Sequence, residues 1–145
     1  MTASLGGITA GYDLFENKEE FDIDFLLMGS ANYPQADAQA LANKLISIAE
    51  LRKDVVAFIS PNRGAFLNDS AVGTGTLNSA ADMTSNVVGF YAPLTSSSYA
   101  VFDSGYKYMF DRFSDTFRYI PLNGDIGGTC ARNDINNFPW FSPAG

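Results

Sequence analysis

The chain has 145 residues, 46% of them hydrophobic and 14% aromatic, enough apolar side chain to build a core. It contains no histidine and a single cysteine, Cys130, which excludes Ser-His-Asp and Cys-His catalysis, His-bearing zinc sites and an internal disulfide. The net charge of −7, from 16 acids and 9 bases, speaks against a nucleic-acid surface, which needs clustered Lys and Arg, and no apolar run approaches the ~20 residues of a membrane span.

Residues 1–11 are small and Gly-rich (Gly6, Gly7, Gly11) and predict a flexible lead-in, or a piece of something longer. No basic stretch followed by an apolar core opens the chain, so no signal peptide is expected. An acidic strip follows, with Asp13, Glu16, Glu19, Glu20, Asp22 and Asp24 set against Lys18 alone. Residues 21–28 alternate at first (Phe21, Ile23 and Phe25 apolar, Asp22 and Asp24 polar) and then run apolar to Gly29. That pattern predicts a strand entering the covered centre of a sheet.

A helix is predicted over residues 35–53. Leu41, Leu45, Ile48 and Arg52 form its stripe, Ala38, Ala42 and Ala49 permit close packing, and Arg52 and Lys53 sit where the helix dipole favours cations. Residues 55–59 are a β-branched run closed by Ser60-Pro61-Asn62-Arg63-Gly64. Strand, helix, strand makes a βαβ unit with parallel strands and a right-handed crossover. Residues 64–78 read as loop, residues 79–91 as a second helix capped by Asn78 or Ser79, and residues 99–102 as a third short strand.

Tyr106, Tyr108 and Phe110 alternate with Lys107, Met109 and Asp111, and Phe117 and Tyr119 with Arg118 and Ile120, which predicts an aromatic hairpin about a short polar turn. In residues 122–137, Gly127-Gly128 argues against a rigid helix at the start, while Ile126, Ala131 and Ile135 suggest an amphipathic turn or two. The end carries Phe138, Trp140 and Phe141 between prolines, and a partner surface is expected to cover it. The fold class is therefore α/β: a mixed, partly parallel sheet flanked by helices, with an aromatic β-hairpin, expected as one domain over residues 1–145.

Candidate sites are few. Asp22 and Asp24, two apart on the predicted strand, could pair for acid–base work or hold magnesium, but no third ligand or phosphate loop accompanies them, and a polar strand face explains them as well. Gly73-x-Gly75 lacks the third glycine of a nucleotide fingerprint. Cys130 has no histidine to activate it and reads better as a buried small hydrophobe than as a thiolate favoured by Arg132 or a helix N-terminus. Ser60 follows an apolar strand, where many α/β enzymes keep a nucleophile, with only Lys44, Lys53 or a carboxylate for a base. The acidic strip is either a solvated edge or a docking strip for a basic surface. No catalytic, cofactor or metal site is expected.

Longer motifs carry a resemblance. The runs YAVFDSGYKYMFDRFSDTFRYIPLNGD (residues 99–125), GTCAR (128–132), FPWFSPAG (138–145), ALANKL (40–45) and RKDVVAFISP (52–61) resemble the tail sheath proteins of contractile-tailed bacteriophages, T-even-type myoviruses and cyanophages in particular. The resemblance covers about residues 11–145 and points to the family's central, subtilisin-like α/β domain, a label of architecture and not of protease chemistry. It implies a structural, non-enzymatic role in the virion: subunits polymerise around the tail tube and, on a signal from the baseplate, rearrange to drive the tube through the host envelope. The implied partners are other sheath subunits, tube and baseplate proteins, with no nucleic acid, no cofactor and no direct membrane binding, and with assembly in the host cytoplasm. Family members are several hundred residues long, so the chain is expected to be a fragment of a larger sheath protein or a truncated product. Glu16, Glu19, Glu20, Asp22, Phe138, Trp140 and Phe141 are the candidate subunit contacts. The alternatives are a sheath-derived module that docks on subunits without polymerising, and a small α/β hydrolase.

Overall fold

A computed structural model describes residues 4–30, 32–68 and 75–143. In chain order it comprises α1 (Leu5–Asp13), β1 (Phe25–Leu27), α2 (Gln35–Arg52), β2 (Val56–Ile59), a 3₁₀ turn (Arg63–Ala65), α3 (Ala80–Tyr91), β3 (Ala100–Phe102), β4 (Tyr106–Asp111), β5 (Thr116–Pro121) and α4 (Asn123–Asn136). The architecture is α/β, as the apolar patterning predicts.

Strands β1, β2 and β3 form a parallel sheet in that order, with Phe25 paired to Val56 and Ala57 to Ala100. The β1–α2–β2 unit is thus the parallel βαβ expected from the sequence. Both crossovers step across the sheet in one direction, so crossovers of one hand place their helices on one face. Accordingly α2 and Phe90 of α3 share a core with Leu26, Met28, Ala57 and Ile59. The intervening residues Leu27 and Phe58 point to the other face, where Gly127 of α4 lies against them. The helix α2 ends at Arg52, one residue short of the expected 53, because Lys53 turns left-handed (φ 63°) with its N–H bonded to the Ala49 carbonyl. Ser79 is the residue that caps α3, accepting from the Asp82 N–H.

The antiparallel hairpin β4–β5 stands beside this sheet with Tyr108 opposite Tyr119 and Phe110 opposite Phe117. Tyr108 stacks on Phe117 (5.1 Å between ring centres) and leans on Tyr119 (4.7 Å). Its base is anchored: Tyr106 and Tyr119 pack on the cluster of Ala65, Phe66 and Leu67, a second small core with Met83 and Val87 of α3.

Three expectations are corrected. Residues 5–13 are a helix, α1, where a flexible lead-in was expected. Ser4 caps it, and Leu5, Ile8 and Tyr12, spaced by three and four, pack on the core, which offsets the helix-weakening of Gly6, Gly7 and Gly11. The first strand is shorter than residues 21–28. The parallel pairing begins at Phe25, and the Phe21 carbonyl accepts from Arg52 at the end of α2 (2.9 Å) instead of entering a ladder. Finally, α4 is a helix of 14 residues where a turn or two was expected. A Cβ at Gly127 would stand 2.6 Å from the Leu27 side chain, so the glycine that weakens the helix also lets it reach the sheet.

Candidate functional site

The carboxyl ends of the three parallel strands are the usual ligand position in an open α/β sheet, and here they converge on a polar cluster. Ser60, directly after β2, is wholly buried (0% exposed), and its hydroxyl donates to Asp103, directly after β3. The same hydroxyl accepts from the backbone N–H and the side-chain amide of Asn123 (3.1 and 2.9 Å), at the start of α4. Asn123, 2% exposed, closes a two-way amide pair with Gly29 after β1: the Gly29 N–H donates to Oδ1 (3.0 Å) and Nδ2 donates to the Gly29 carbonyl (2.9 Å). Gly29 can take part because its φ of +70° suits glycine. Tyr91, ending α3, donates to the carbonyls of Ile59 and Asp103.

The chemistry of this cluster is that of a joint. The Ser60 hydroxyl accepts twice and donates once, which fills its capacity, and it has no exposed surface. Asp103 lies 7% exposed, and burial raises its carboxyl above the usual range against the lowering hydrogen bonds from Ser60 and the Gly105 N–H. Burial likewise raises the phenols of Tyr91 and Tyr106, which face it. The position read from sequence as a possible nucleophile is therefore enclosed. Asp103 and Asn123 gave no sequence signal, since the one follows a short strand and the other sits in a glycine-rich stretch that patterning does not assign to a helix.

Beside the joint, a cavity of about 380 Å³ lies between the end of β1, β5 and the first turn of α4. Arg63 and Arg118 line it together with Tyr106, Tyr119 and Ile120. Arg118 is tied to Asp111 across the hairpin (3.0 Å).

The other candidates are scattered. Asp22 and Asp24 precede β1 instead of sharing a strand face, and among the described residues no three His, Cys, Asp or Glu side chains gather for a metal. Gly73 lies outside the described residues. Cys130 is half-buried on α4, not fully buried as expected, and burial, then Asp134, pushes its thiol up and away from thiolate character. In the acidic strip Glu16 and Asp13 hold Lys44 (2.6 and 2.5 Å), while Glu19, Glu20 and Asp22 are exposed. Phe138, Trp140 and Phe141 are 55%, 78% and 54% exposed, with Phe138 stacked on Trp140 (4.9 Å). The acidic strip leads into β1, and the aromatic end follows α4. Among the described residues no helix is long and apolar enough to cross a membrane.

No family model matches the chain. Curated relatives do. The chain is 32% identical over 142 residues to the tail sheath protein of Vibrio phage KVP40, covering 93% of this chain and 21% of that protein. It is 30% identical over 146 residues to the tail sheath protein of Enterobacteria phage T4, covering 97% of this chain and 21% of that one. To the tail sheath protein of Salmonella phage ViI it is 34% identical over 89 residues, 61% of this chain and 13% of the relative. The chain thus spans about a fifth of the length of the first two relatives. The resemblance to phage tail sheath proteins holds across nearly all of it.

Proposed function

We propose that this chain, similar over nearly its whole length to phage tail sheath proteins, is a structural domain of a contractile tail sheath. Its place is the virion tail, in contact with other sheath subunits, with tube and baseplate proteins as further partners and host cytoplasm as the site of assembly. It works by packing and not by bond chemistry. Contraction is the passage of one polymer between two packings, the work coming from their free-energy difference. The observation that carries this reading is the similarity along 93% and 97% of the chain to two tail sheath proteins. An enclosed Ser60 and the absence of histidine accord with a non-catalytic role.

The surfaces proposed to meet other subunits are the two patches already described. Glu19, Glu20 and Asp22 present charge to solvent, with Glu16 partly neutralised by Lys44. Phe138, Trp140 and Phe141 present an aromatic face more than half exposed, the kind of anchor that interfaces bury.

The test is capture of the purified chain on immobilised T4 tail sheath protein, followed by electron microscopy. Binding is expected, reduced about tenfold or more by Trp140→Ser, as loss of an aromatic anchor does, and weakened by Glu19→Lys with Glu20→Lys. No binding to sheath protein would overturn the reading. Binding without incorporation into tubes would favour the module that docks without polymerising.

A further inference from the structure

We propose that the Asn123–Ser60–Asp103 joint is a clasp, and that α4 with the aromatic segment behind it opens about that clasp as one unit while α2 and the sheet stay folded. The inference stands on how α4 is held, whatever the chain assembles with. In α4 only Asn123 and Gly127 are buried. Asn123 makes four hydrogen bonds to residues outside the helix, two with Gly29 and two with Ser60. Gly127, one turn on, offers the sheet no side chain and touches Leu27 and Phe58 by backbone approach alone. Leu122, at the cap, packs on Gly105, and Asp125 meets Lys107 of the hairpin (2.6 Å) through side chains that are both substantially exposed, where an ion pair contributes little. Past Gly128 no residue of the helix is buried: Thr129, Cys130, Ala131 and Asn133 are half-buried, and Ile135 is 84% exposed.

The contrast with α2 is sharp. That helix buries Ala38, Leu41, Ala42, Leu45, Ile46, Ile48, Ala49 and Arg52. Three glycines in the first half of α4 (Gly124, Gly127, Gly128) further lower its intrinsic helicity. Its own extension, by contrast, is tied to it: Asn133 Nδ2 donates to the carbonyls of Phe138 (3.3 Å) and Phe141 (2.8 Å). Helix and aromatic segment therefore travel together, and the buried polar joint at the near end decides whether they are docked. Segments with few buried apolar contacts open at lower free energy than the core they rest on.

Amide hydrogen exchange on the whole chain over a denaturant series tests this. In the wild type the α4 amides should open with a smaller denaturant slope and a faster exchange rate than those of α2. Leu45→Ala weakens a contact that persists when α4 is open, so it should speed α2 exchange about 30-fold or more and leave α4 exchange unchanged. Asn123→Ala should speed α4 exchange about 30-fold or more, the effect of losing its three side-chain hydrogen bonds to Gly29 and Ser60. Ser60→Ala serves in its place if that variant does not fold. One common rate and slope for α2 and α4 in the wild type overturns the proposal, as does α4 responding to Leu45→Ala as α2 does, or not responding to loss of the clasp.

Discussion

Asp103 sets a sign for the pH response of this fold. Its carboxyl is buried among Ser60, Tyr91 and Tyr106, with its folded pKa above the unfolded one, so protonation favours the native state. The stabilisation from this group is fully present below the ordinary carboxylate range and is lost as pH rises through the raised folded value. Asp54 runs the other way: the hydrogen bond from Arg52 lowers its carboxyl, and its contribution is lost as pH falls through that lowered value. Asp103→Asn keeps an acceptor for the Ser60 hydroxyl and removes the titration. The expected outcome is that the variant's melting temperature gains on the wild type's as pH rises above the ordinary carboxylate range; denaturation followed by circular dichroism checks it, and a difference between the two that does not change with pH would count against it. Glycines give a second residue-scale prediction. A Cβ at Gly128 meets nothing within 4 Å, so Gly128→Ala should stabilise by about 0.5–1 kcal/mol. Gly29→Ala, at φ +70°, should destabilise by about 1 kcal/mol; chemical denaturation of the pair separates the two effects.

Among the elements, α2 carries the core. Leu45 is fully buried, and Leu45→Ala should cost about 2–5 kcal/mol through lost transfer energy and the cavity left behind. A denaturation midpoint unmoved by that change would mean that another face of α2 is buried. This helix was legible because its apolar stripe is long, and β2 because a β-branched run closed by Ser60-Pro61 has few other readings. The hairpin was legible from strict alternation on both arms. Glycine hid α1 and most of α4. Local propensity disfavours α1 and α4, and both form through contacts distant in sequence, such as Tyr12 donating to the Leu27 carbonyl (2.6 Å) and Asn123 bonding Gly29. The polar joint was invisible for the same reason: Ser60, Asp103 and Asn123 lie 43 and 63 residues apart along the chain in the bonds they make. The strand over residues 21–28 was overextended because alternation cannot foresee Arg52 taking the Phe21 carbonyl.

At the scale of the molecule, apolar side chains are withdrawn into the α2-covered face while the hairpin and the aromatic end are left in solvent. Phe113 at the hairpin turn is fully exposed, and Phe110 and Phe117 are about half so (42% and 49%). Surfaces of this kind in a chain with a net charge of −7 suit a part that is finished by neighbours. Purified alone, the chain should fold yet build no long helical tubes; electron microscopy showing extended sheaths would contradict this.

Trp140 is the only tryptophan, and it sits 78% exposed on the ring of Phe138, away from the core. Its indole therefore glows as a wet fluorophore in the native protein, and melting of the α/β body would pass with little change in emission colour. The same placement makes it a built-in reporter for company: a blue shift on mixing with another protein would register burial of this one patch, with no label attached.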